Sequence, residues 1–176
     1  NFIHNYRIDG ISMEPNFHNH QFLIVNRYAY CPGIHIEIPV VNVSLFDKTW
    51  CARIPTRGDV VIFEYPRDPS RDFIKRVIGL PGETVEVRNG QVYVDGVLMP
   101  EPFGPNPGSY NAPPLTVGSD EVYVMGDNRN NSSDSHLWGP LKLENIIGKA
   151  LASYWPPKYW SIVPQYNLND LSAASQ

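Results

Sequence analysis

The sequence predicts a mainly β fold of irregular antiparallel sheets with a smaller β extension and few short helices. Three observations predict it. Seventeen prolines and 13 glycines in 176 residues cut the chain into short segments and leave little room for long helices. The apolar residues between those breaks come in short runs rich in β-branched and aromatic types. No segment carries the 3.6-residue apolar period of a long amphipathic helix, and the chain has no internal repeat.

Each element follows from local chemistry. Gln21–Tyr28 (QFLIVNRY) is the first strand candidate and Asp59–Tyr65 (DVVIFEY) the second. Thr84–Arg88 and Gln91–Asp95 alternate apolar and polar residues around Asn89-Gly90, the pair that favours a type I′ hairpin turn. Glu121–Met125 (EVYVM) and Ile146–Trp155 (IIGKALASYW) complete the set, and Leu141–Asn145 after Gly139-Pro140 predicts one short helical turn. Cys31–Ile54 reads as an insertion-like segment with its own apolar run, Ile34–Phe46. Pro100–Asp120 holds six prolines and is expected to be mostly loop. The expected organisation is a single domain over residues 1–176. Its core comprises 1–30, 55–99 and 121–164, and its tail, 165–176, is small, polar and expected to fray.

Composition narrows the function classes. At 42% hydrophobic the chain can bury a core without metals or a disulfide lattice. Fourteen Lys and Arg against 18 Asp and Glu give a net charge of −4. That leaves no excess of positive charge to neutralise phosphates and argues against nucleic-acid binding. No run approaches the roughly 20 apolar residues that span a bilayer. Cys31 and Cys51 have no metal-ligand spacing. They fit one bridge in an oxidising compartment or two buried thiols equally well.

Three features carry candidate chemistry. Ser12, in Gly10-Ile11-Ser12-Met13-Glu14-Pro15, sits on a tight turn entering a strand. A serine hydroxyl is a poor nucleophile unless a base takes its proton, so Ser12 alone fits a turn residue as well as a nucleophile. Lys75 lies in Asp72-Phe73-Ile74-Lys75-Arg76-Val77-Ile78, with apolar residues on both sides. Burial there would lower its pKa toward neutrality, whereas an edge position would let it snorkel to water. The segment Gly126–Pro140 is dense in hydroxyls, amides and paired charges, and Asn131-Ser132-Ser133 is a glycosylation sequon. His18-Asn19-His20 offers two metal-type ligands, but no third ligand at suitable spacing.

In combination, Gly10–Phe17, Arg57–Phe63, Lys75–Glu83 and Gly126–Pro140 closely resemble, in that order, the sequence boxes of bacterial type I signal peptidases. The match extends over most of Tyr6–Gly148. The resemblance implies a membrane-bound serine endopeptidase with a Ser–Lys dyad and a signal-peptidase-like catalytic core. It implies no cofactor, no metal and no nucleic-acid partner. Its partners would be signal peptides of exported preproteins, cut after small residues in Ala-x-Ala fashion, and the lipid surface. It further implies a catalytic domain on the extracytoplasmic face of the cell membrane, with this chain a soluble piece lacking the transmembrane anchor.

Residue by residue, the resemblance makes Ser12 the nucleophile, Lys75 the general base and Ser132 the hydroxyl that orients the lysine amine. The Ser12 N–H becomes an oxyanion donor, with Gly10 at the second oxyanion position. Met13, Ile8, Phe17, Leu23, Ile62, Phe73 and Ile74 become substrate-binding residues, and Asp127, Arg129, Asp134 and Arg76 brace the site. The substrate would pair as an extended strand against Asp9–Ile11 and Asp72–Ile74.

Three departures stand out, one of them His18-Asn19-His20-Gln21 in place of a Gly-Asp/Glu turn often found there. Gly10 occupies a position where some members carry a serine hydroxyl, and His136 stands where many carry Arg, beside Asp134. Four alternative readings fit the residues less well. An organellar inner-membrane processing peptidase usually lacks the Asp127-Asn128-Arg129 run. An inactive binding module of the same fold would not need Ser12, Lys75 and Ser132 intact. A self-cleaving repressor would need a DNA-binding helix-turn-helix. A Ser–His–Asp hydrolase would use His136 and Asp134, which lie too close in sequence to form a triad readily.

Overall fold

A computed structural model describes residues 3–30, 53–166, 168–169 and 171. The chain enters through β1 (Ile3–Arg7) and β2 (Phe22–Asn26), continues through β3 (Val60–Tyr65) and a long β4 (Asp68–Gly79), and then makes β5 (Thr84–Arg88), β6 (Gln91–Val94) and β7 (Val97–Leu98). Next come β8 (Ala112–Thr116), β9 (Glu121–Met125), the single-turn helix α1 (Ser135–Trp138), β10 (Leu141–Lys142), β11 (Ile146–Trp155) and β12 (Ser161–Ile162). Three 3₁₀ turns punctuate the second half, at Arg129–Asn131, Leu143–Asn145 and Pro157–Tyr159.

Two antiparallel sheets result. The larger runs β1-β2-β11-β3-β4-β9-β10, with β12 on β11, and the smaller runs β7-β6-β5-β8. The chain passes from one to the other where β4 ends at Gly79 and β5 begins at Thr84.

β3 shows why its sequence is a continuous apolar run. Val60 and Ile62 enter one buried cluster with Ile8, Met13, Phe17, Leu23 and Val25. Val61 and Phe63 enter another with Val77, Val122, Val124 and Leu141. A central strand covered on both faces has no reason to alternate polar residues. A third cluster joins Val85, Val87, Val92 and Val94 of the smaller sheet to Ile78, Tyr123 and Met125 of the larger. At the expected hairpin, Asn89 and Gly90 take φ of 50° and 78°, as a type I′ turn requires.

β4 is paired unevenly. On one side it pairs with β3 through Asp72–Arg76 and Asp68, with a register irregularity between them. β9 covers the other side only over Arg76–Gly79. Among the described residues, the Asp68–Lys75 edge therefore has no strand on that side.

The structure adds two features to these expectations. Ala112–Thr116, inside the proline-rich stretch expected to be mostly loop, forms β8 and pairs with β5. An edge strand tolerates Pro113 and Pro114, because their missing N–H groups cost no ladder bonds there. The beginning of the tail expected to fray is fastened: Leu168 is buried in the third cluster. The buried Arg57 Nε donates to the Leu168 carbonyl at 2.7 Å, and the Arg57 N–H donates to Asn169 Oδ1 at 3.0 Å. The predicted helical turn is the 3₁₀ turn Leu143–Asn145, shortened because Leu141–Lys142 pairs with β9. β1, β7, β10 and β12 are too short or too poor in β-branched residues to be marked by the sequence. Cys31, Cys51 and their possible bridge lie outside the described residues, with all of the insertion-like segment except Arg53 and Ile54.

Candidate active site

Ser12 is carried by the turn between β1 and β2. The Phe17 N–H donates to the Met13 carbonyl at 2.9 Å and the Glu14 N–H to the Ile11 carbonyl at 3.2 Å, closing successive turns around the serine. Met13 and Phe17 are buried in the same cluster as Val60 and Ile62, which seats this turn on β3.

Lys75 projects from β4 and is only 3% exposed. Its Nζ donates to Ser12 Oγ at 2.8 Å and to the Ile74 carbonyl at 2.8 Å. Burial lowers its pKa from 10.5 to about 8, although Asp134 and Asp127 pull the other way. The cause is desolvation of an ammonium that has no carboxylate in direct contact. The Phe73 ring lies 5.1 Å from Nζ.

The segment after β9 completes the site. The Asn128 N–H donates to the Ser12 carbonyl at 3.0 Å, and Asn128 Nδ2 donates to the Ile11 carbonyl at 3.1 Å. Asn131 Nδ2 donates to Asn128 Oδ1 at 3.1 Å. Gly126 is pressed between the two serines: a Cβ there would meet Ser132 Oγ at 2.2 Å and the Ser12 carbonyl oxygen at 2.5 Å. The Ser132 hydroxyl is buried and has no hydrogen-bond partner among the described residues. A buried hydroxyl without a partner carries a desolvation cost, which a group arriving in the site could relieve.

The four bracing residues anchor this segment from behind. Arg76 grips Asp127 with Nε to Oδ1 at 2.9 Å and Nη2 to Oδ2 at 2.6 Å, both side chains buried. Asn16 Nδ2 also donates to Asp127 Oδ2, at 2.9 Å. Arg129 donates to the Gly126 carbonyl at 3.1 Å and pairs with Glu101. Asp134 accepts the Gly126 N–H at 2.8 Å and lies 2.6 Å from His136 Nδ1, and the His136 ring stacks on Tyr110.

Ser12 and Lys75 border a cleft of about 550 Å³. Of the residues expected to bind substrate, Ile8, Leu23, Ile62, Phe73 and Ile74 line it. Met13 and Phe17 lie beneath, 1% and 4% exposed. Gly10 lines the cleft at φ +117°, a backbone conformation that disfavours any side chain. The Ser12 N–H has no internal acceptor among the described residues. His18 and His20 do not converge: His18 packs on Tyr159 and lies near Glu14, whereas His20 meets Arg7.

Sequence reasoning gave no role to Tyr6, Arg71, Asn131 or Ser133, which also line the cleft, nor to Asn128. Two-residue alternation from Ile8 and Phe73 would have found Tyr6 and Arg71. No local signal marks Asn128, because the Ser12 and Ile11 carbonyls it holds lie more than a hundred positions away.

The family model for signal peptidase, peptidase S26, matches residues 1–155. A probable signal peptidase I-1 from Synechocystis is 49% identical over 113 residues, covering 60% of this chain and 58% of that protein. Thylakoidal processing peptidase 1 of Arabidopsis thaliana is 45% identical over 115 residues, covering 60% and 34% respectively. Signal peptidase I of Pseudomonas aeruginosa is 30% identical over 203 residues, covering 92% and 69%. A crystal structure of a signal peptidase I from Enterococcus faecalis aligns at TM-score 0.47 and 31% identity, covering 55% of this chain and 97% of that one. The chain thus spans little more than half of the Synechocystis relative and about a third of the Arabidopsis one. With residues 1–155 of its 176 inside the family match, the chain belongs to the signal peptidase family, peptidase S26.

Proposed function

We propose that this chain is the catalytic part of a serine endopeptidase that removes N-terminal signal peptides after small residues by a Ser12–Lys75 dyad. The observation that carries this reading is the buried Lys75 Nζ at 2.8 Å from Ser12 Oγ. A pKa of about 8 leaves roughly a tenth of the lysine neutral at pH 7, about 300-fold more than at its ordinary pKa.

Neutral Lys75 takes the Ser12 proton as Oγ attacks the scissile carbonyl carbon. The Ser12 N–H, free of internal acceptors, is the donor for the developing oxyanion. The second donor is a backbone group or water, because Gly10 brings no hydroxyl. Lys75 then hands its proton to the leaving amine, the acyl-enzyme forms, and Lys75 activates the water that releases the signal peptide. Ser132 holds the lysine amine in line, and this would give its buried hydroxyl a partner.

Apolar walls from Ile8, Leu23, Ile62 and Ile74 close to the nucleophile admit alanine at −1 and −3 and exclude larger side chains by overlap. Met13 and Phe17 support those walls from below. The substrate strand lies against Asp9–Ile11 and Asp72–Ile74.

The same reading includes a lipid surface at the membrane. No helix among the described residues is long and apolar enough to cross a membrane. Trp155, Trp160 and Ile162 are 53%, 77% and 80% exposed, and indole side chains favour the bilayer interface.

The test is cleavage of a preprotein and of an Ala-x-Ala peptide by the purified chain. Cleavage should survive chelators and vanish in both Ser12→Ala and Lys75→Ala. Full activity in Lys75→Ala would remove the dyad.

A further inference from the structure

β4 offers more edge than the reacting bond needs. Its Asp68–Lys75 edge lacks a strand partner on the side away from β3, among the described residues. Eight residues of strand extend at most about 26 Å, less where the register with β3 shifts between Asp72 and Asp68. The pockets for −1 and −3, in the reading proposed above, use only the part nearest Lys75, where Ile62 pairs with Ile74. Those pockets lie on the N-terminal side of the scissile bond. The substrate residues preceding them therefore run along β4 from Lys75 toward Asp68. Arg71, four positions before Lys75 and about 13 Å from it along the strand, stands beside substrate positions −4 to −6.

Arg71 is exposed and lines the cleft. Strand alternation puts Arg71, Phe73 and Lys75 on one face. The Arg71 guanidinium sits 5.3 Å from the centroid of the Phe73 ring, and that ring stacks on Tyr65 at 4.3 Å. The aromatic pair thus forms a flat support for the guanidinium.

Of the other charges of the cleft, Arg7 and Asp9 answer each other. Arg7 Nε lies 3.5 Å from Asp9. Asp72 belongs to the opposite face of the strand, where burial raises its carboxyl pKa and Arg27 opposes the shift. Asp68, the carboxylate that feels the Arg71 charge, is half-buried and accepts the Ser70 hydroxyl at 2.6 Å. No ion pair engages Arg71 among the described residues.

We propose that Arg71 on its Phe73–Tyr65 support is a carboxylate-recognising subsite, selecting signal peptides with an acidic side chain at −4 to −6. The proposal rests on the signal-peptidase reading above and adds to it a substrate feature beyond the small residues at the cut.

The experiment uses three Ala-x-Ala peptides alike except for Asp, Ser or Lys at −5, and a fourth with Asp at +5. The expected kcat/KM ratio of the −5 Asp to the −5 Lys peptide is about fivefold at low salt, closing toward one in 0.5 M NaCl, as for an exposed ion pair. Arg71→Gln should flatten the ratio, Arg71→Glu should invert it, and Arg71→Lys should keep part of it. A ratio unchanged in Arg71→Gln, or a preference that follows the +5 peptide, overturns the proposal. If all peptides are cut equally, the Arg71 subsite fails while the peptidase reading stands. If none is cut, the Ser peptide included, the peptidase reading itself fails.

Discussion

The Asn128 N–H donates to the carbonyl of Ser12, and the Asn128 side chain reaches the carbonyl of Ile11 next to it. One residue therefore fixes two successive peptide units of the turn that holds Ser12. Asn131 in turn holds the Asn128 amide. Removing the side chain loosens the turn without touching the cleft walls. Asn128→Ala should lower kcat about tenfold with KM little changed, because small displacements of a reacting atom are costly. Steady-state kinetics separate the two parameters, and a rise in KM alone would contradict a positioning role.

Gly126 has no room for a side chain. A Cβ would collide with both Ser132 Oγ and the Ser12 carbonyl oxygen. Gly126→Ala should therefore push the Ser132 segment off the Ser12 turn and cut kcat by about a hundredfold. Near-wild-type turnover in a crystallographically verified Gly126→Ala would mean that this close approach is dispensable.

The Lys75 pKa fixes a pH dependence. In the proposed mechanism activity requires the neutral amine, so kcat/KM should rise about tenfold per pH unit below pH 8 and level off above it. A profile flat from pH 6 to 9 would exclude Lys75 as the base.

Stability follows the same group with its own sign. The folded-state pKa, about 8, lies below the ordinary 10.5. Between these values the unfolded chain binds the additional proton, so native stability rises with pH across that window. Below pH 8 the cost of burying the charge is fully present, on the order of 3 kcal/mol. Lys75→Met should accordingly be inactive but more stable at pH 7, and its advantage should shrink from pH 8 to 10.5. Urea unfolding at pH 7 and pH 10 measures the difference.

The Arg76–Asp127 pair is buried and bidentate. Asp127→Ala leaves a buried guanidinium without its carboxylate and should cost about 3 to 5 kcal/mol. Replacing both partners by apolar residues of similar volume should cost much less. Comparing the single and double variants by chemical unfolding tests this, and equal losses would indicate that the pair itself contributes most of the stability.

Much of the fold was legible locally. β3, β5, β6, β9 and β11 follow from apolar patterning, and the Asn89-Gly90 hairpin follows from turn chemistry, because these features depend on neighbours within a few residues. β8 was not legible, because Pro113 and Pro114 argue against a strand until β5 supplies a partner that does not need their N–H groups. The docking of Leu168 was not legible either, because a polar tail gives no sign of the buried Arg57 that holds it.

The site divides along the same line. The sequence by itself determined the residue types of the candidate site: Ser12 on a glycine-flanked turn, Lys75 among apolar residues, and a polar segment after β9. It also carried the family resemblance that joined them. Only the tertiary structure decided that Lys75 Nζ meets Ser12 Oγ across 63 positions, that Asn128 clamps the turn, and that β4 keeps an open edge beside Arg71. Those relations come from strand order and from the burial of Met13 and Phe17 against β3. Contacts of that range are set by how sheets pair and pack, and local sequence does not encode which distant strand will be the neighbour.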